Sequence, residues 1–130
     1  MIRRHAIEQA SALLRRMAFQ ANRMAKRTDA GRIHDLRVSI RRLTACLELF
    51  RQFFPRGQAR RISRKVGVLM DLASEVRNRD IALELLKKAA IPAAPIWALE
   101  REQAAADLRD ALKHWSRRDA HRKWRVRLDL

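Results

Sequence analysis

Turn residues are scarce in this chain: three Gly, three Pro and no Tyr in 130 residues. An all-β sandwich or barrel needs turn signals about every ten residues, so that architecture is excluded. Runs of β-branched residues are also missing, and the chain reads as all-helical. The single cysteine, Cys46, excludes an internal disulfide and fits a reducing compartment. It lies in a helical apolar pattern and is expected as a small core residue. No apolar run approaches the roughly 20 residues of a membrane span. Met1 to Gln20 carries charges throughout and lacks the apolar centre of a secretory signal, so the expected location is cytoplasmic. Acidic residues are scarce too, 14 against 30 Lys plus Arg, for a net charge of +16.

That imbalance costs self-repulsion in the folded chain, which a bound polyanion would relieve. With 48% hydrophobic residues the chain can bury a core and is no disordered basic tail. Arginine outnumbers lysine, and its planar fork matches phosphate in a bidentate way, although a GC-rich coding sequence gives the same bias. No Ser-His-Asp signature, Gly-rich phosphate loop or zinc spacing is present. Glu48, Glu75, Glu84 and Glu100 are scattered, without the pairing that acid–base catalysis needs. The expectation is a protein that is not an enzyme and has no metal and no cofactor.

The apolar period predicts four long helices in one domain spanning 1–130, over about 3–27, 30–54, 58–90 and 95–116, with a basic tail at 117–130 that frays. Thr28 or Asp29 is placed to cap the second helix, which stops at Pro55. A bend is expected in the third near Ala73-Ser74. Ile91 to Pro95 is a short stiff linker. Four helices joined by short turns imply an antiparallel up-down bundle. The second helix has a main seam, Ile33, Leu36, Ile40, Leu43 and Leu47, and a second apolar face, Val38, Ala45, Leu49 and Phe53. A helix apolar on two sides is the central helix of its bundle or part of a subunit interface.

Beside the main seam stand His34, Arg37 and Arg41, at i, i+3 and i+7, with Arg42 next to them. Arg16, Arg23 and Arg27 form a similar stripe on the first helix. Arg61, Arg64 and Lys65 form a cluster on the third. A charge run is usually a solvated face, but three such faces converging on one groove would make a polyanion site. Asp35 is expected to face away from His34, and neither it nor His5, His114 or His121 completes a metal site. Arg77 and Asp80 can pair at i, i+3. Asp80 is alternatively an anchor for an arginine of the second helix, behind the ligand-binding shell. Trp115 falls in a core seam, whereas Trp124, among basic residues, is free to stack on a base or a partner.

The segment Ile33-His34-Asp35-Leu36-Arg37-Val38-Ser39-Ile40-Arg41-Arg42-Leu43, followed by Phe50 and Phe54, resembles the CHAD domain, the "conserved histidine α-helical domain". Ala73-Ser74-Glu75-Val76-Arg77-Asn78-Arg79-Asp80-Ile81 resembles the same family's Leu-Gly-x-x-Arg-Asp-x-Asp-Val segment. Ser74 replaces its glycine and Asn78 its first aspartate. The resemblance covers about the first three helices. It implies binding of inorganic polyphosphate on a basic surface, with His34, Arg37, Arg41, Arg42 and Arg77 at matching positions, and an association with polyphosphate granules. Family members carry two four-helix halves, and this chain has room for one. It is then a piece of a longer protein, or a second copy supplies the other half as a homodimer. Nucleic acid is the second-choice partner, a granule-organising interaction module the third reading, and no membrane is expected.

Overall fold

The computed structural model describes residues 1–130 and is all-helical, with no strand. The helices are α1 (Ile2–Lys26), α2 (Ala30–Leu49), α3 (Gln58–Lys88), α4 (Pro95–Arg117) and α5 (Ala120–Arg127). α1 packs on α2, α2 on α3, α3 on α4, and α4 returns to α1, with α5 folded onto α4 and α1. No helix is long and apolar enough to cross a membrane.

The boundaries follow local chemistry. Asp29 caps α2, its carboxylate accepting the Arg32 N–H at 2.9 Å. α2 ends at Leu49, short of the expected 54, and Arg51–Phe53 tighten into a 3-10 turn. Pro55 drives this, because the residue before a proline is pushed to extended backbone, and Phe54 sits at φ −105°, ψ 158°. Gly57 starts α3 with φ +79°, a left-handed conformation that suits glycine. α3 runs through Ala73-Ser74 as one uninterrupted helix. Pro95 opens α4, where its missing N–H costs nothing.

The predicted seams form one core. Leu14, Met17 and Met24 of α1 meet Ile33, Leu36, Ile40, Leu43 and Leu47 of α2, with Ile62, Val66 and Val76 of α3. Cys46 is buried among them, and burial pushes its thiol pKa up. The C-terminal stretch corrects the sequence reading. It does not fray but folds as α5, and Ala120, Trp124 and Leu128 enter the core. Trp124 packs edge-on against Trp115 with ring centres 5.4 Å apart, so it is not free to stack on a base. The pull of a large apolar ring outweighs the charge around it.

The second apolar face of α2 divides. Val38 and Phe53 are half-buried, while Ala45 and Leu49 stay exposed. A larger unpartnered apolar surface lies elsewhere. From Arg77 to Gln103 no residue is buried. There the end of α3 and the start of α4 form a hairpin arm that exposes Ile81, Leu85, Ile91, Ile96, Trp97 and Leu99. Ile96 and Leu99, which fit the fourth helix's apolar pattern in the sequence, therefore lie outside the core. The arm begins where Arg101 of α4 bridges Asp80 of α3 and the Thr28 carbonyl in the α1–α2 turn. The remaining eight residues of α3 extend about 12 Å further, at 1.5 Å per residue.

Candidate functional site

α2 turns its seam inward, leaving an outer arc of His34, Arg37, Val38, Arg41 and Arg42. The one polar side chain on the inner side, Ser39, is satisfied locally, donating to the Leu36 carbonyl at 2.7 Å. The arc is therefore held by a fully packed helix.

Arg37 reaches from α2 towards α3. It is half-buried, and its Nε donates to Ser74 Oγ at 3.4 Å. Burial lowers its pKa, and the charges of Arg41 and Arg77 lower it further. The guanidinium stays charged, since arginine does not lose its proton in proteins. Arg37, Arg41 and Arg77 thus lie within electrostatic range across the α2–α3 seam. None of the three is in an ion pair. The predicted i, i+3 pairing of Arg77 with Asp80 does not form.

On the other flank of α2 a cleft of about 270 Å³ opens towards α1, lined by Arg16, Gln20, His34, Asp35 and Arg42 among others. His34 and Arg42 are exposed at its edge. Asp35 does not face away from His34 as expected. It shares this cleft and accepts from Arg23 Nη1 at 3.2 Å. The same Arg23 atom donates to the buried Gln20 Oε1 at 3.3 Å. Arg27 is engaged too, pairing with Asp29 at 3.5 Å. Of the α1 stripe, only Arg16 lacks a carboxylate; its guanidinium lies 5.4 Å from the Phe19 ring centre. Electrostatics decides this division: where an acid is within reach, the fold neutralises the cation instead of offering it to a ligand.

Two further expectations are corrected. Lys65 does not join the α2 groove. It lines a separate cavity with Arg118, Lys123 and Arg127, and Arg61 lies within electrostatic range of it. Lys65 stands twelve residues before Arg77 on the same helix, about 18 Å along its axis. Arg61 and Arg64, exposed on the first turns of α3, are further still. Asp80 does not anchor an arginine of α2. Its Oδ1 accepts from Arg101 Nε at 2.8 Å and its Oδ2 from Arg101 Nη2 at 3.3 Å. This bidentate bonding raises the Arg101 pKa despite burial. Arg101 also donates to the Thr28 carbonyl, and Arg109 Nη1 to Thr28 Oγ1 at 3.0 Å. Arg101 is thus the centre of a clamp joining α3, α4 and the first turn, with Asp80 as its anchor on α3.

Sequence reasoning missed three residues. Ser74 supports Arg37, and its only signal was that it departs from the resembled glycine. Arg101 and Arg109 carried no signal, because their partners lie 21 and 81 positions away.

The CHAD domain family model matches residues 8–130. The match runs through α4 and α5, past the three helices that carry the recognisable motifs. No curated protein and no solved structure matches the chain.

Proposed function

This chain belongs to the CHAD domain family, and on that premise we propose that it binds inorganic polyphosphate, without catalysis, across the outer face of α2. The observation that carries the reading is the unpaired cluster of Arg37, Arg41 and Arg77. Three guanidinium groups held together without a carboxylate repel one another until an anion or salt screens them. Polyphosphate has one negative charge per unit and no base to read, so long side chains with bidentate forks suit it. His34, Arg42 and Arg16 extend the strip over the α1–α2 cleft. Lys65, Arg64 and Arg61 are left out of it, and Asp80 contributes through the fold alone.

Binding is then driven by counterion release and depends on chain length. With about five phosphates engaged, a plot of log affinity against log salt has a slope of about −3.5, taking the single-strand coefficient. The deciding experiment is charge reversal at exposed or half-exposed positions, read as polyphosphate affinity by calorimetry. Arg37→Glu with Arg41→Glu weakens binding at least about tenfold more than Lys113→Glu with Arg117→Glu on α4. Equal losses, or a flat salt plot, would reduce the attraction to diffuse charge. Duplex DNA is the rival ligand, and long polyphosphate displaces it at lower phosphate concentration if the proposal holds.

The reading includes an antiparallel up-down order of the four long helices, which the short connections and the succession of packed neighbours support. It includes a cytoplasmic location, at polyphosphate granules where these form. It also includes a second copy of the chain. The exposed arm supports that copy better than α2 does. Residues 81–100 carry Glu84, Lys87, Lys88 and Glu100, two charges of each sign, in a chain of net charge +16. Two arms can meet without the repulsion that every basic face would impose. Sedimentation of the chain and of a Leu85→Glu/Leu99→Glu variant tests this, with loss of a dimer expected in the variant.

A further inference from the structure

A cavity of about 360 Å³ opens at the opposite end of the bundle from the α1–α2 turn, between α3, α4 and α5. Its size is within the range of small-molecule sites. The wall is apolar, formed by Val68, Trp115 and Trp124, and the rim is cationic, formed by Lys65, Arg118, Lys123 and Arg127. Asp119, the acid at the head of α5, is held by Arg122 at 2.7 Å and so does not pair with the rim. Trp115 and Trp124 are each nine-tenths or more buried, so core packing fixes this wall in place.

We propose that this cavity is a second binding site, separate from the α2 face, for an organic phosphate: a small molecule with an apolar or aromatic body and a multiply charged phosphate head. The body covers Val68 and rests against the wall that the two largely buried indoles contribute, and the head meets Lys65, Lys123, Arg118 and Arg127. Inorganic polyphosphate satisfies only the rim, and an uncharged aromatic only the wall. The crowding supports an anionic head: burial and the neighbouring charges of Arg127, Arg61, Arg118 and Lys123 all push the Lys65 ammonium below its ordinary pKa. A bound phosphate reverses that strain. Each rim cation gains a charge-assisted hydrogen bond, the stronger kind.

The probes are ATP, tripolyphosphate and adenosine, titrated calorimetrically into the intact chain near physiological salt. ATP is expected to bind at least about tenfold more tightly than either of the others, since it alone uses both wall and rim. Val68→Trp fills the mouth from an exposed position, and Lys65→Glu with Lys123→Glu reverses half the rim. Each lowers ATP affinity about tenfold or more. Arg37→Glu with Arg41→Glu leaves ATP binding unchanged while weakening long polyphosphate, which keeps the two sites distinguishable. Tripolyphosphate binding as tightly as ATP overturns the proposal, as does ATP affinity indifferent to filling the mouth. If Val68→Trp fails to fold by circular dichroism, the rim pair, on exposed lysines, decides alone.

Discussion

Replacing Asp80 with Leu separates a structural role for this acid from a ligand-facing one. The Asp80 and Arg101 side chains are only 21% and 14% exposed. Two hydrogen bonds join them, at 2.8 and 3.3 Å, and a third runs from Arg101 to the Thr28 carbonyl. Breaking a buried pair by removing one partner typically costs about 3–5 kcal/mol, because the other charge is left uncompensated. The residual exposure lets water reach Arg101, so a loss of about 2 kcal/mol is expected for Asp80→Leu. Against a total stability of about 5–15 kcal/mol this is a large fraction. Arg101→Met alone strands Asp80 and costs a similar amount. The double variant strands neither and recovers most of the loss, leaving a coupling of at least about 1 kcal/mol. Urea unfolding followed by circular dichroism measures all four corners of the cycle. Polyphosphate affinity of the double variant stays at the parent value, since neither residue meets the ligand. Single variants within about 0.5 kcal/mol of the parent would refute the clamp. So would a double variant no more stable than the worse single one.

Two other perturbations have worked signs. Ser74→Asp places a carboxylate opposite Arg37, so stability rises by up to about 1 kcal/mol while polyphosphate affinity falls; losing both together, in melting and binding assays, would contradict the proposed geometry. His121 is held below its ordinary value of 6.5 by burial, then by Arg125 and Arg15, against the pull of Asp119. The unfolded chain therefore takes up the proton first, and stability is full above about pH 6.5 and declines as the pH falls below it. Urea midpoints at about pH 7.5 and 5.5 should diverge in the parent more than in His121→Gln; equal divergence would assign the effect elsewhere.

The α2 face is legible in the sequence because its information is local. Residues three, four and seven apart share a helix side whatever the helix packs against. His34, Arg37 and Arg41 therefore stay together, just as Ile33, Leu36 and Ile40 are buried together. Arg77 joins them through a motif resembling a family, not through spacing. The groupings that fail all require knowing which helix flank faces which neighbour. Charge alone groups Lys65 with Arg37, yet Lys65 turns instead to α4 and α5. Arg23 is as free as Arg16 by sequence, but Asp35 reaches it across the α1–α2 interface.

Helical periodicity and the shortage of turn residues, which act over a few positions, were sufficient to establish an all-α chain, its seams and a surplus of cations. Long-range packing decided the rest: which cations keep a free charge, that Trp124 belongs to the core, and that Asp80 grips α4. The physical reason is that an ion pair or a ring contact depends on distances of a few ångströms between residues far apart in the chain, and only the folded helices bring those residues within reach.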